Sequence, residues 1–260
     1  MAGKLIALYG INNIGKSTQT NLLVQHLLSS GRRVEYVKYP IYDLDPTGKM
    51  LNEILRGKQK TPVQAMMDFF PGTKVRRQPI TTRRAATNNV FSLKQIKGSD
   101  EVRQRVTEEE LQMWYSLNRY QYDPILKKKL ASGLTVVAED YTGTGLAWGS
   151  AKGADIDWLD SVNKYLTRPD LEILMDGERF ATGREARHIH ESSDRLIHKA
   201  RAQFQKLAKK YDWKVVNANR SVREVSTDIW KLVDDLFPAE EKHGATTWLP
   251  APNPGMGIGS

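Results

Sequence analysis

The stretch "KLIALYGINNIGKST", residues 4–18, decides the fold. A short apolar run ends at Gly10, and the residues that follow complete the pattern G-x-x-x-x-G-K-[ST] with Gly15, Lys16 and Ser17. Glycines at those two positions let successive backbone N–H groups turn into one concavity, and the helix that follows presents its N-terminus to an anion bound there. Lys16 is placed to reach the β- and γ-phosphates of a nucleotide and Ser17 to bind Mg2+ through its hydroxyl, while Asn12, Asn13, Ile14 and Thr18 complete the ATP-binding loop. A strand before this motif and a helix after it are the context it requires, so ATP and Mg2+ are the expected ligands.

Outward from the loop, short runs rich in Val, Ile and Leu alternate with helical patterns. "KLIALYG" (4–10), "RVEYVKYP" (33–40), "LTVVAED" (134–140), "LEILMD" (171–176) and "WKVVNA" (213–218) read as strands covered on both faces. Helices are predicted over 16–30, 46–56, 107–132, 156–166, 193–211 and 221–237. Gly31 and Gly133 follow two of them, where a left-handed C-terminal residue is expected, and "TEEE" (107–110) reads as a capping box with Thr107 as N-cap. The alternation predicts an α/β fold, a P-loop NTPase three-layer sandwich whose five-stranded parallel sheet carries helices on both faces. Ligands then bind at the carboxyl ends of the strands.

"VVAEDYTGTGLAWG" (136–149) reaches such an end with two carboxylates, Glu139 and Asp140, side by side. Like charges at the edge of a core repel, so a cation is expected to meet them. A strand that delivers an acid beside the P-loop serine supplies a second, water-mediated metal contact. Glu139 and Asp140 are therefore candidate metal-holding and catalytic residues together with Ser17 and Lys16. Strand alternation points the two acids to opposite sides.

With 260 residues, no cysteine and no apolar run of transmembrane length, the chain is expected to form one domain over 1–238 in a reducing, cytoplasmic setting, without disulfides and without a membrane. "MAGKLIALYG" passes from one lysine straight into a strand pattern, unlike a signal peptide. The net charge of +9 is concentrated, because nine Lys/Arg against Asp100 and Glu101 give residues 70–106 a charge of +7. The stretch 58–106 is thus a basic insertion, polar and weakly periodic. It suits a flap over a ligand, an oligomer contact, a nucleic-acid arm or a solvated loop. The tail 239–260 is rich in Pro and Gly and is expected to be disordered, with Trp248 its one odd feature. His188 and His190 have no third ligand at a metal-site spacing and read as surface.

Three further stretches carry a resemblance. "KYPIYDLDPTGKMLNEIL" (38–55), "MWYSLNRYQYDPILKKKLASGLTVVAEDY" (113–141) and "PDLEILMDGERFATGREARHIH" (169–190), in this order after the P-loop, resemble the thymidylate kinase family of nucleoside monophosphate kinases. The resemblance implies transfer of the ATP γ-phosphate to dTMP or a related deoxynucleotide, giving dTDP and ADP, and it implies a homodimer. It also implies an acceptor site at Lys38 and Pro40 after the second strand, and at Tyr115 and Arg119. These two are i and i+4 on one helix face, so a ring can stack on a pyrimidine while a guanidinium binds its base or phosphate. Tyr141 would lie against the deoxyribose; a tyrosine that caps the sheet is the other reading. Residues 177–191 would be a short lid whose Arg184 and Arg187 meet the transferring phosphoryl group, with Arg179 against the adenine and Ala218 completing the ATP site.

The chain also departs from that pattern. Glu139-Asp140-Tyr141 stands where the family signature is Asp-Arg-Tyr, Ile41 and Tyr42 stand where an arginine is often found, and Asn12 and Asn13 where an acid often contacts the sugar. Lys38, Arg119 or the insertion are candidates to replace the lost cations. Two other functions fit the same motifs. One is a deoxynucleoside kinase, with Glu139 as base for a sugar hydroxyl. The other is a non-catalytic protein that binds ATP or nucleic acid and uses Arg76, Arg77, Arg83 and Arg84 of the insertion.

Overall fold

The computed structural model describes residues 2–55, 106–178 and 194–237. Residues 58–105 of the basic insertion, the lid from Arg179 onward with Arg184, Arg187, His188 and His190, and the tail with Trp248 lie outside the described residues. Each apolar run forms a strand: β1 (Leu5–Tyr9), β2 (Val34–Lys38), β3 (Thr135–Glu139), β4 (Leu171–Asp176) and β5 (Lys214–Asn217). They make one parallel sheet in the order β2-β3-β1-β4-β5. β1 is central and wholly buried, as is β3, which is why both read as apolar without alternation. The register pairs Glu139 with Leu8 on one side and with Lys38 on the other. The acidic end of β3 is thereby held between the P-loop and the loop that follows β2.

Among the described residues the helices are α1 (Lys16–Ser29), α2 (Thr47–Leu55), α3 (Glu108–Ala131), α4 (Thr142–Ala151), α5 (Ile156–Asn163), α6 (Asp194–Tyr211) and α7 (Val222–Asp234). α1 packs on α7, whereas α4 packs on α3, α5 and α6, so the helices divide between the two faces of the sheet. Thr107 caps α3 by accepting the Glu110 N–H at 3.1 Å. The complete reciprocal box forms elsewhere, at the start of α7. There Ser221 Oγ accepts the Glu224 N–H at 3.3 Å and the Ser221 N–H donates to Glu224 Oε2 at 3.0 Å. Gly31 (φ 76) and Gly133 (φ 81) are left-handed, as their places after α1 and α3 require.

One element was not foreseen. The sequence predicts no helix after Tyr141, yet α4 begins at Thr142. Gly143, Gly145 and Gly149 each lower helix propensity by about 1 kcal/mol relative to Ala, which hides the element. Packing demands them: a Cβ on Gly143 would sit 2.6 Å from the Trp213 ring and 2.7 Å from that of Tyr9. Close approach of α4 to the sheet overrides local preference, and α4 becomes one wall of a cleft.

Candidate active site

Left-handed backbone at Gly10 (φ 147), Asn13 (φ 59) and Gly15 (φ 91) curls the loop that joins β1 to α1. Gly15 precedes the first residue of α1 at a conformation that a side chain would strain. Inside the curl, buried Lys16 donates from Nζ to the carbonyls of Gly10 and Ile11, each at 3.0 Å. Ile14 packs in the core, Asn12 and Asn13 are half-buried, and Thr18 is exposed on the first helical turn.

The two acids at the end of β3 do different things. Glu139 is 1% exposed and fully engaged. Ser17 Oγ donates to its Oε1 at 2.8 Å, Lys38 Nζ lies 3.0 Å from the same oxygen, and the Tyr36 hydroxyl donates to Oε2 at 2.5 Å. Burial pushes its pKa up, but the Tyr36 bond and the charges of Lys38 and Lys16 outweigh burial and hold it below the ordinary value. Asp140 leaves the strand with φ 61, stands 3.5 Å from Lys16 Nζ and accepts from Thr144 Oγ1 at 3.1 Å. Burial raises its pKa; Lys16 opposes this and Glu139 adds to it, with a net value above the ordinary one. The two side chains have different partners, and the strand's alternation ends where the backbone turns at Asp140. The cations that meet them are Lys16 and Lys38. Of the two candidate acids, Glu139 and not Asp140 touches Ser17. Hard oxygen donors brought together at a phosphate loop fit Mg2+, which takes one or two protein ligands and completes its shell with phosphate and water.

Beside this cluster a cavity of about 180 Å3 opens between the ends of β2 and β3 on one side and α3 and α4 on the other. Lys38, Pro40, Tyr115 and Arg119, expected at the acceptor, all line it, as do Asn12 and Asp140. Arg119 is 3% exposed; its Nε donates to Asn163 Oδ1 at 3.2 Å and its Nη2 to Ser116 Oγ at 3.3 Å. Burial lowers its pKa, against the influence of Tyr141, Tyr39, Tyr9 and Tyr115. Among the described residues no carboxylate pairs with it, so a buried cation with donors to spare faces the cavity.

Other cavity residues escaped the sequence: Tyr39, Tyr42, Gln112, Thr144, Gly145, Trp148 and Lys152. Those on or just after α4 could not be found while that helix was missed. Gln112 could have been, since 112, 115 and 119 follow the i, i+3, i+7 spacing of one helix face. Tyr141 is a correction in the other direction. Its ring is 1% exposed and packs 4.9 Å from that of Tyr39, and its hydroxyl donates to the Thr167 carbonyl at 3.0 Å. It caps the sheet and is not a wall of the cavity. Ala218 is buried just past β5, its N–H bonded to the Asp176 carbonyl at 2.8 Å. Its neighbour Asn219 clasps Glu178 by bonds of 2.6 and 3.0 Å, and a Cβ on Gly177 would stand 3.2 Å from Ile14. The segment around Ala218 therefore borders the P-loop. Arg179, Arg184 and Arg187, expected over the donor, are outside the described residues.

Among the described residues no helix is long and apolar enough to cross a membrane. The thymidylate kinase family model matches residues 92–229 of the chain. Human thymidylate kinase is 27% identical over 252 residues, spanning 95% of this chain and 97% of that protein. The thymidylate kinase of Danio rerio is 24% identical over 264 residues, with 95% and 97% covered. A probable thymidylate kinase of Thermococcus onnurineus is 26% identical over 236 residues, with 88% and 96% covered. The solved structure of thymidylate kinase from Candida albicans superposes with a TM-score of 0.63 over 93% of this chain and 94% of that one; at 20% identity this is a likeness of fold.

Proposed function

The chain belongs to the thymidylate kinase family, and from that premise we propose how its residues carry the transfer of the ATP γ-phosphoryl group to dTMP, giving dTDP and ADP. An oxygen of the dTMP phosphate attacks the γ-phosphorus while the bond to the β,γ-bridging oxygen breaks and ADP leaves. The nucleophile is already an anion, so no side chain needs to take a proton from it; positioning and charge neutralisation carry the rate.

In this reading the loop Gly10 to Thr18 cradles the donor phosphates, and Lys16 exchanges its two carbonyl bonds for phosphate oxygens. Ser17 and Glu139 would hold Mg2+, which would supply positive charge to the donor phosphates. Tyr115 stacks on thymine, Arg119 donates to it, and Lys38 supplies a cation near the acceptor phosphate, where the family's arginine is absent. Arg184 and Arg187 close on the transferring group, with Arg179 and the backbone at Ala218 bordering the adenine. The working unit is a homodimer.

The observation that carries the reading is the meeting of two half-sites at the tip of β3. Ser17 touches Glu139 at 2.8 Å, and the next residue, Asp140, lines the cavity that contains Tyr115 and Arg119. A nucleoside kinase would need a free base at a sugar hydroxyl. Both oxygens of Glu139 are instead held by Ser17, Lys38 and Tyr36. The test is ADP formation from ATP and Mg2+ with dTMP, dCMP, dGMP, dAMP and thymidine in turn. The expected result is fastest turnover with dTMP and little with thymidine; equal rates across acceptors, or faster turnover with thymidine, would overturn the reading.

A further inference from the structure

Among the described residues two that line the cavity carry a buried polar atom without a partner, the Tyr39 hydroxyl and Gln112 Oε1, and the second lies beside Arg119. Gln112 is 2% exposed and lies on the cavity wall, and its Oε1 has no hydrogen-bond partner among the described residues. The other end of the same amide is anchored: Nε2 donates to Glu108 Oε1 at 2.8 Å, and Glu108 Oε2 pairs with Lys152 Nζ at 2.9 Å. A carboxylate can only accept, so this chain fixes which end of the amide points inward: the oxygen. Leaving a buried acceptor unpaired is unfavourable, and a ligand that donates to it removes that cost.

The neighbour of that oxygen is informative. A Cβ built on Gly145 would lie 3.1 Å from Gln112 Oε1 and 3.1 Å from Arg119 Nη2. The two atoms therefore flank the same small space, which the absence of a side chain at position 145 keeps open. One is an obligate acceptor and the other an obligate donor. The group that answers both is a ring edge with a carbonyl oxygen next to a ring N–H. The edge of a 4-oxo pyrimidine has this order; cytosine presents an amino donor beside an unprotonated ring nitrogen, the reverse order.

Resting on the dTMP kinase reading, we propose that Gln112 is a specificity-determining residue that accepts the ring N–H of a 4-oxo pyrimidine monophosphate. The Lys152–Glu108 pair orients its amide, and the bare position at Gly145 gives the base edge access. In this arrangement Arg119 alone attracts an exocyclic oxygen, and Gln112 adds rejection of the amino pyrimidine.

The experiment compares kcat/KM for dTMP, dUMP and dCMP in the wild type, Gln112→Met and Gly145→Ala, together with melting temperatures with and without dTMP. In the wild type dUMP should side with dTMP and against dCMP. In Gln112→Met the preference for dTMP over dCMP should shrink roughly ten- to a hundredfold, mainly through KM for dTMP. The melting temperature without ligand should change little, since the loss of the Nε2 bond to Glu108, which keeps Lys152, is offset by removal of the unpaired buried acceptor, while the dTMP-induced rise shrinks. Gly145→Ala suits the helix backbone and fills the shared space, so it should raise KM for dTMP even if the methionine variant folds poorly. Unchanged discrimination in Gln112→Met, or an unchanged KM in Gly145→Ala, overturns the proposal. A wild type that phosphorylates no deoxynucleotide overturns the kinase reading instead.

Discussion

At Asp140 the backbone turns left-handed and sets a carboxylate 3.5 Å from Lys16 on the wall of the cavity proposed to take the acceptor. Burial and Glu139 hold its pKa above the ordinary range against the pull of Lys16, so the neutral form is favoured relative to an exposed aspartate. An acceptor phosphate nearby pushes the same way, and dTMP binding therefore takes up a proton as long as Asp140 is ionised beforehand. The sign follows: KM for dTMP falls as pH falls, by at most about tenfold per unit, and rises as pH climbs through the Asp140 value. Asp140→Asn keeps the shape and removes the charge. It should lower KM for dTMP about fivefold at neutral pH, with the difference from wild type vanishing in acid. The acceptor's own second ionisation, near pH 6 for such phosphates, is common to both proteins, so the ratio of their KM values between pH 5 and 8 isolates Asp140. Parallel pH profiles would contradict this role.

α3 and α4 form the cavity together, and they were not equally legible. α3 announces itself through Thr107, through the charges of its first turn and through the face that carries Tyr115 and Arg119, and the sequence located both residues. α4 does not, because its glycines are chosen by the ring faces of Tyr9 and Trp213 and by the atoms around Gly145, all distant in sequence. The same distance explains Tyr141, whose hydroxyl finds its acceptor at Thr167, which no local pattern announces. The strands were plain because β1 and β3 are buried on both faces, whereas the left-handed turn that parts Glu139 from Asp140 left no trace in the alternation of β3. α3 also turns Met113 (50% exposed) and Leu117 (45% exposed), one helical turn apart, toward solvent. An exposed apolar pair on a long helix suits a second copy of the chain, as the proposed homodimer would require. Light scattering at micromolar concentration should give twice the chain mass for the wild type and a monomer for Leu117→Glu; a monomeric wild type would sink the dimer.

On the scale of the whole molecule, strand order is what makes one site from two. β3 lies between β1, which feeds the P-loop, and β2, which feeds the loop with Lys38 and Pro40. Its last residue can therefore touch Ser17 and Lys38 at once, and the residue after it reaches the cavity that holds Tyr115 and Arg119. Phosphoryl transfer asks the fold for this: donor phosphates, metal-holding oxygens and acceptor phosphate within one charge-neutralising cluster. The most direct measurement is the turnover of Glu139→Gln with ATP, Mg2+ and dTMP, with circular dichroism to establish that the variant is folded. Loss of about a hundredfold or more in kcat, with the melting-temperature rise on adding dTMP retained, is the predicted result; a folded variant whose turnover stays within about threefold of wild type would contradict the account.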